Sequence, residues 1–123
     1  MPKIIFRPNP TPPPFDPPTP PVQNPSVFFT PYPFETDELL HAVLTNLDLP
    51  EDINIVEVDG YVEAWNDWSS GSNIQISGSP SSIECDFAFE ASSSQISRYR
   101  LTCWNSEWVY PKPYIYIDLV LLN

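Results

Sequence analysis

Thirteen of the seventeen prolines in this 123-residue chain fall within its first 33 residues. Proline fixes φ, removes its own backbone donor and pushes the preceding residue out of the α region. The run FRPNPTPPPFDPPTPPVQNP therefore supports neither a helix nor a central strand, and polyproline II is the conformation it favours. At about 3.1 Å per residue, residues 8–33 would reach roughly 80 Å. Large apolar side chains are spaced along the prolines: Phe6, Phe15, Val22, Val27, Phe28, Phe29, Tyr32 and Phe34. Solvating linkers rarely carry such groups, each of which gains ~1.5–3 kcal/mol on burial. Residues 1–34 are thus expected to form an extended arm that lies along neighbouring subunits. Ahead of the prolines, Lys3–Phe6 is β-prone and suited to adding to a neighbour's sheet edge, with Ile4 and Phe6 in alternate pockets. Arg7, Pro10 and Pro13 match the spacing of polyproline ligands for SH3 domains, a weak signal beside any proline tract.

The rest of the chain is long enough for one small domain, and a domain of this size needs subunit contacts or staples to be more than marginal. The net charge of -11 is unevenly placed, because residues 8–97 carry 14 carboxylates and no lysine or arginine. Such a surface repels phosphate, which argues against nucleic-acid binding. The opening MPKIIF is too short for a signal h-region, and no apolar run approaches the ~20 residues of a membrane span. A soluble protein with no membrane partner is the expectation.

Composition changes at Pro33. Residues 35–49 read as the one helix: Thr36 as N-cap, Asp37 and Glu38 at its positive end, Leu39, Leu40, Val43, Leu44 and Leu47 at helical period, and Pro50 as its stop. His41 would sit on the opposite side of that helix, exposed to solvent. Residues 50–123 read as an antiparallel β domain. From Ile53 the period is two, with Val56, Val58 and Val62 on one face, Glu57, Asp59, Tyr61 and Trp65 on the other, and Gly60 marking a bend. A short strand is expected at Asn73–Ser77. Ile83, Cys85, Phe87, Phe89 and Ala91 alternate with acids, and Tyr99, Leu101 and Cys103 alternate with Arg98, Arg100 and Thr102. This pattern suggests a hairpin pairing Glu90 with Arg98 and Cys85 with Cys103. Tyr114–Leu122 is apolar on both faces and should be central, or covered by a neighbour.

Chemistry is sparse. Cys85 and Cys103 lack a metal-ligand spacing, so they are either a cross-strand disulfide or two buried thiols. No catalytic constellation, metal site, cofactor site or phosphate loop can be assembled around the single histidine and three glycines. Tyr61, Trp65 and Trp68 could form an aromatic platform for sugars, although tryptophans in so small a domain more often serve the core or an interface. The fold expected is mainly β: a small antiparallel β-sandwich or jelly-roll-like domain with one short helix and a long proline-rich N-terminal arm.

A small β domain carrying an extended arm resembles the capsid decoration (cement) proteins and the tail accessory proteins of tailed bacteriophages. The resemblance is one of architecture and assigns no residue a role. It implies a non-enzymatic virion component, often trimeric, made in the host cytoplasm and clamping a major capsid or tail lattice. A carbohydrate-binding or adhesin module and a polyproline-displaying signalling adaptor are the contrasting classes.

Overall fold

The computed structural model describes residues 24–109 and 113–123. Ile4, Phe6, Arg7, Phe15 and Val22 of the expected arm lie outside the described residues. Among the described residues there are eight strands: β1 (Ser26–Thr30), β2 (Leu40–Thr45), β3 (Ile55–Val62), β4 (Asp67–Ser70), β5 (Ile74–Gln75), β6 (Ile83–Phe87), β7 (Ile96–Trp104) and β8 (Ile115–Leu121). They join in one sheet of order β4-β3-β7-β8-β1-β2-β6, with β5 added to β3. The expected mainly β class holds. The sheet is mixed, because β1 runs parallel to β8, and it curls into a half-barrel.

The period-two segments bury one face, as alternation requires. In β3 the inward residues are Val56, Val58, Gly60 and Val62, and in β7 they are Tyr99, Leu101 and Cys103. The pairing slips between Tyr61 and Val62, one residue after Gly60. The curl brings the two edges of the sheet together at one end. Beyond β6, the Glu90 amide donates to Ser69 Oγ of β4 at 3.0 Å. Gly71 is needed at that meeting point. A Cβ there would stand 2.8 Å from the Val58 carbonyl oxygen and 2.9 Å from the Phe87 ring.

Three expectations are corrected. No α-helix is present among the described residues, and the segment expected to be helical supplies β2. Leu40, Ala42 and Leu44 point inward while His41, Val43 and Thr45 are half-buried, which is a strand's alternation. Leu40 and Leu44 satisfy both periods, four residues being one helical turn and two pleats. Pairing with β1 on one side and β6 on the other decides in favour of the strand.

The hairpin is likewise absent: β6 pairs with β2, and β7 lies between β3 and β8. Cys85 therefore stands opposite Ala42, and Cys103 opposite Val56 and Ile115. The side-chain faces were readable, but the strand partners were set by contacts far away in sequence.

The third correction concerns the arm. Its last residues form β1, and Phe29 and Phe34 are buried at 1% and 2% exposure in this chain's own core. Phe29 meets Phe34, Phe87, Phe89 and Tyr99 at ring-centroid distances of 5.0–6.2 Å. Phe28, the next residue along, faces outward and is 43% exposed. The β unit thus begins near residue 26 rather than 50.

Replacing Phe29 with alanine should lower the unfolding free energy by about 3–5 kcal/mol, as expected for a buried phenylalanine. Phe28→Ala should change it by less than about 1 kcal/mol. Urea denaturation of the two variants checks the contrast, and equal effects would contradict the burial described. Gly71→Ala should also destabilise, by about 1–3 kcal/mol, because one of its two close neighbours is backbone that cannot rotate away.

Candidate functional site

The outward face of β4, β3, β7 and β8 gathers the chain's most distinctive side chains. Register puts them there: Asp59 pairs with Arg100 and Ser70, Tyr61 with Arg98 and Trp68, Arg100 with Asp118, and Thr102 with Glu57 and Tyr116. The two arginines lie against aromatic faces. The Arg100 guanidinium is 3.8 Å from the centre of the Trp68 ring and 4.3 Å from that of Tyr116. Arg98 is 4.5 Å from Tyr61 and 5.1 Å from Trp68. The sequence across the face is therefore Tyr116, Arg100, Trp68, Arg98, Tyr61, with aromatic rings and cations alternating. Each such contact is worth about 0.5–1 kcal/mol at an exposed site and more where water is excluded.

Beneath this ladder lies a buried carboxyl. Asp59 is 2% exposed; its Oδ2 accepts from Thr102 Oγ1 at 2.6 Å and from Arg100 Nε at 3.3 Å. A carboxylate this deep needs the Arg100 charge, because removing it leaves an uncompensated buried ion, and the Thr102 hydroxyl adds a hydrogen bond to the same oxygen. Asp59 Oδ1 has no hydrogen-bond partner in the described structure. Two residues earlier on the same face of β3, the Glu57 carboxyl is pushed up to about 7, first by burial and then by the charge of Asp59 and a hydrogen bond with it. A protonated Glu57 can donate to Asp59, whereas an ionised one places two negative charges side by side.

Among the positions singled out from sequence, Tyr61 and Trp68 are in contact, their rings 5.1 Å apart and edge-to-face. The strand ends before Trp65, which sits on a 3-10 turn (Glu63–Trp65) closed by Asn66 in the left-handed conformation, and its side chain is 45% exposed. The three rings do not form one open platform, since the arginines lie over Trp68. Tyr32 is 39% exposed at the base of the arm. Cys85 and Cys103 are free and buried, and burial pushes both thiols up to about 11.

His41, on the outward face of β2 rather than on a helix, bonds through Nδ1 to Asp86 at 2.7 Å, with Nε2 3.4 Å from Glu84. The Asp86 hydrogen bond is the main cause of its raised pKa. Among the described residues no cluster of three or more His, Cys, Asp or Glu side chains is arranged to hold a metal ion, and no helix is long and apolar enough to cross a membrane.

The expected central place of Tyr114–Leu122 in the sheet holds, but sequence reasoning singled out none of the residues of its outward row. Tyr114, Tyr116, Val120 and Leu122 share one parity and are 46–56% exposed, although their strand lies in the middle of the sheet. Tyr114 is held by Trp104, the ring centres 4.8 Å apart. The signal was the apolar character of both faces of this strand; what was not readable was that no segment among the described residues covers the outer one. No protein-family model, curated protein or solved structure matches the chain.

The titrations of Glu57 and His41 act in the same direction. Both pKa values are raised in the folded state, so their stabilising contributions are complete at low pH and fade as pH climbs: through about 4.5–7 for Glu57, and above 6.5 for His41. Thermal unfolding should therefore show stability falling between pH 5 and pH 8. Glu57→Gln should flatten the lower part of that profile and raise stability at pH 8; an unchanged profile would contradict the carboxyl pairing.

Proposed function

We propose that this chain is a non-enzymatic structural assembly protein, with a β unit that displays a contact face and a proline-rich arm that clamps neighbouring subunits. A homo-oligomer, a trimer by analogy with capsid decoration proteins, seated on a larger lattice fits this role. The capsid decoration proteins are the nearest functional analogy, and a tail lattice is the alternative seat.

The observation that carries the reading is the outward row of β8. Large apolar and aromatic groups exposed together on a soluble domain mark interaction surfaces. Tyrosine and tryptophan are enriched at such surfaces because one end of the ring system packs while the other remains hydrated. The half-exposed Phe28 and Tyr32 extend apolar exposure to the root of the arm. The sugar-platform reading loses strength from the same geometry, since Trp68 is already covered by guanidinium groups.

Lys3 and Lys112 are the only lysines, one near the tip of the arm and one in the body of the chain. Amine cross-linking with mass spectrometry on the native particle or lysate should join Lys3 to lysines of another protein or to Lys112 of a second copy. One-ended adducts at Lys3, with normal links from Lys112, would contradict the clamp.

A further inference from the structure

Strand β8 is incompletely paired as well as uncovered. β7 pairs with it over Ile115–Leu119, whereas β1 reaches only Val120 and Leu121. On the β1 side, Ile115–Leu119 have no strand partner among the described residues. Outward, the row from Tyr114 to Leu122 runs about 26 Å at strand rise. Two of its rings are fixed without being buried: Tyr114 is 51% exposed and leans on Trp104, and Tyr116 is 56% exposed with Arg100 over it. Held in place and still accessible, such rings are a surface on which polyproline segments dock. The segment preceding β1 begins at the other end of the row, where the Val120 amide donates to the Pro25 carbonyl at 2.9 Å.

We propose that the outward row Tyr114, Tyr116, Val120 and Leu122, with Trp104 at its end, receives the proline-rich segment, residues 1–23, of a second copy of this chain. The proposal rests on the assembly reading above and names the surface that the arm grips. Ten of those 23 residues are proline, and Ile4, Phe6, Phe15 and Val22 supply the anchors. Proline-rich chain loses little entropy on docking because it is already extended, which suits it to an open face better than to a deep pocket.

Reach favours a second copy over the same one. At polyproline rise 23 residues span about 70 Å, nearly three times the length of the row, and Phe15 would stand about 30 Å from Pro25, past the row's far end. Charge supports docking of the arm on the body of the chain. Residues 1–23 carry Lys3 and Arg7 against the single acid Asp16, whereas the remainder carries 15 acids against three basic residues, with Asp118 in the outward row itself. The arm is thus weakly cationic against an acidic body, a complementarity that acts locally where the two meet.

The test uses the full chain with a photoreactive benzophenone side chain in place of the Phe15 ring, prepared as equal parts of 14N and 15N protein. After irradiation, peptides joining a light chain to a heavy one, with the attachment within Tyr114–Leu122, are expected. Tyr114→Ala combined with Tyr116→Ala should reduce that product at least about fivefold, as loss of aromatic anchors does. The double variant should remain folded, its thermal midpoint lowered by only a few degrees, because it loses the Arg100 and Trp104 ring contacts but no core side chain. Links confined to single chains would overturn the second copy as occupant, and links between chains at other residues would overturn the surface. Absence of any link overturns the proposal as a whole. The assembly reading is judged separately: Lys3 cross-links to a different protein would preserve it even when the β8 row receives nothing.

Discussion

Everything in this fold hangs on the Phe29 ring. It touches Phe34 beyond its own strand, Phe87 and Phe89 from the β6 segment, and Tyr99 from β7. These elements are not neighbours in the sheet order, so the ring cluster joins strands that hydrogen bonding keeps apart. A flat sheet of eight strands could not bring them together; a curled one can, and edge-to-face packing fixes the angle at which it does. The small residue at Gly71 lets the Phe87 side of the curl approach β4. Because β1 contributes Phe29, the last part of the proline-rich region is structural, and its root is anchored to β8.

The outward face follows a different logic. Within the described residues the two arginines lie on β7, and each is laid against aromatic rings. Arg100 also compensates the buried Asp59, with Thr102 holding the same carboxyl oxygen. The ladder stiffens strands that would otherwise carry a hydrated face, and it fixes Tyr116 in an accessible position. A rigid aromatic surface loses less entropy on binding than a mobile one, which is the physical link between this cluster and a contact role.

Much of this was legible from period alone. The inward residues of β3, β6 and β7 and the polar parity of Glu57, Asp59, Tyr61, Arg98 and Arg100 follow from alternation. What alternation cannot fix is pairing. Ile83–Phe87 and Ile96–Trp104 looked like the two arms of a hairpin because they are adjacent and oppositely charged on their outer faces. The chain instead crosses the end of the half-barrel between them, with the Asp37 amide bonded to Phe89 O and the Ser93 amide to Phe34 O. The false helix has a related cause. Leu40 and Leu44 fit both periods, and flanking Leu39 and Leu47 tipped the count, yet Leu39 is 71% exposed. The ladder was unreadable for the same reason, since Trp68, Arg98, Arg100 and Tyr116 meet only once β4, β3, β7 and β8 are placed side by side.

If the outward row of β8 is a contact surface, assembly must shield its tyrosines. Hydroxyl-radical footprinting of the native assembly against the dilute, dissociated chain tests it most directly, because tyrosine oxidation reports ring exposure residue by residue. Tyr114 and Tyr116 are expected to lose reactivity on assembly while Trp65 keeps its own. Unchanged oxidation of both tyrosines, with protection appearing at Trp65, would place the contact at the β3–β4 turn and contradict it.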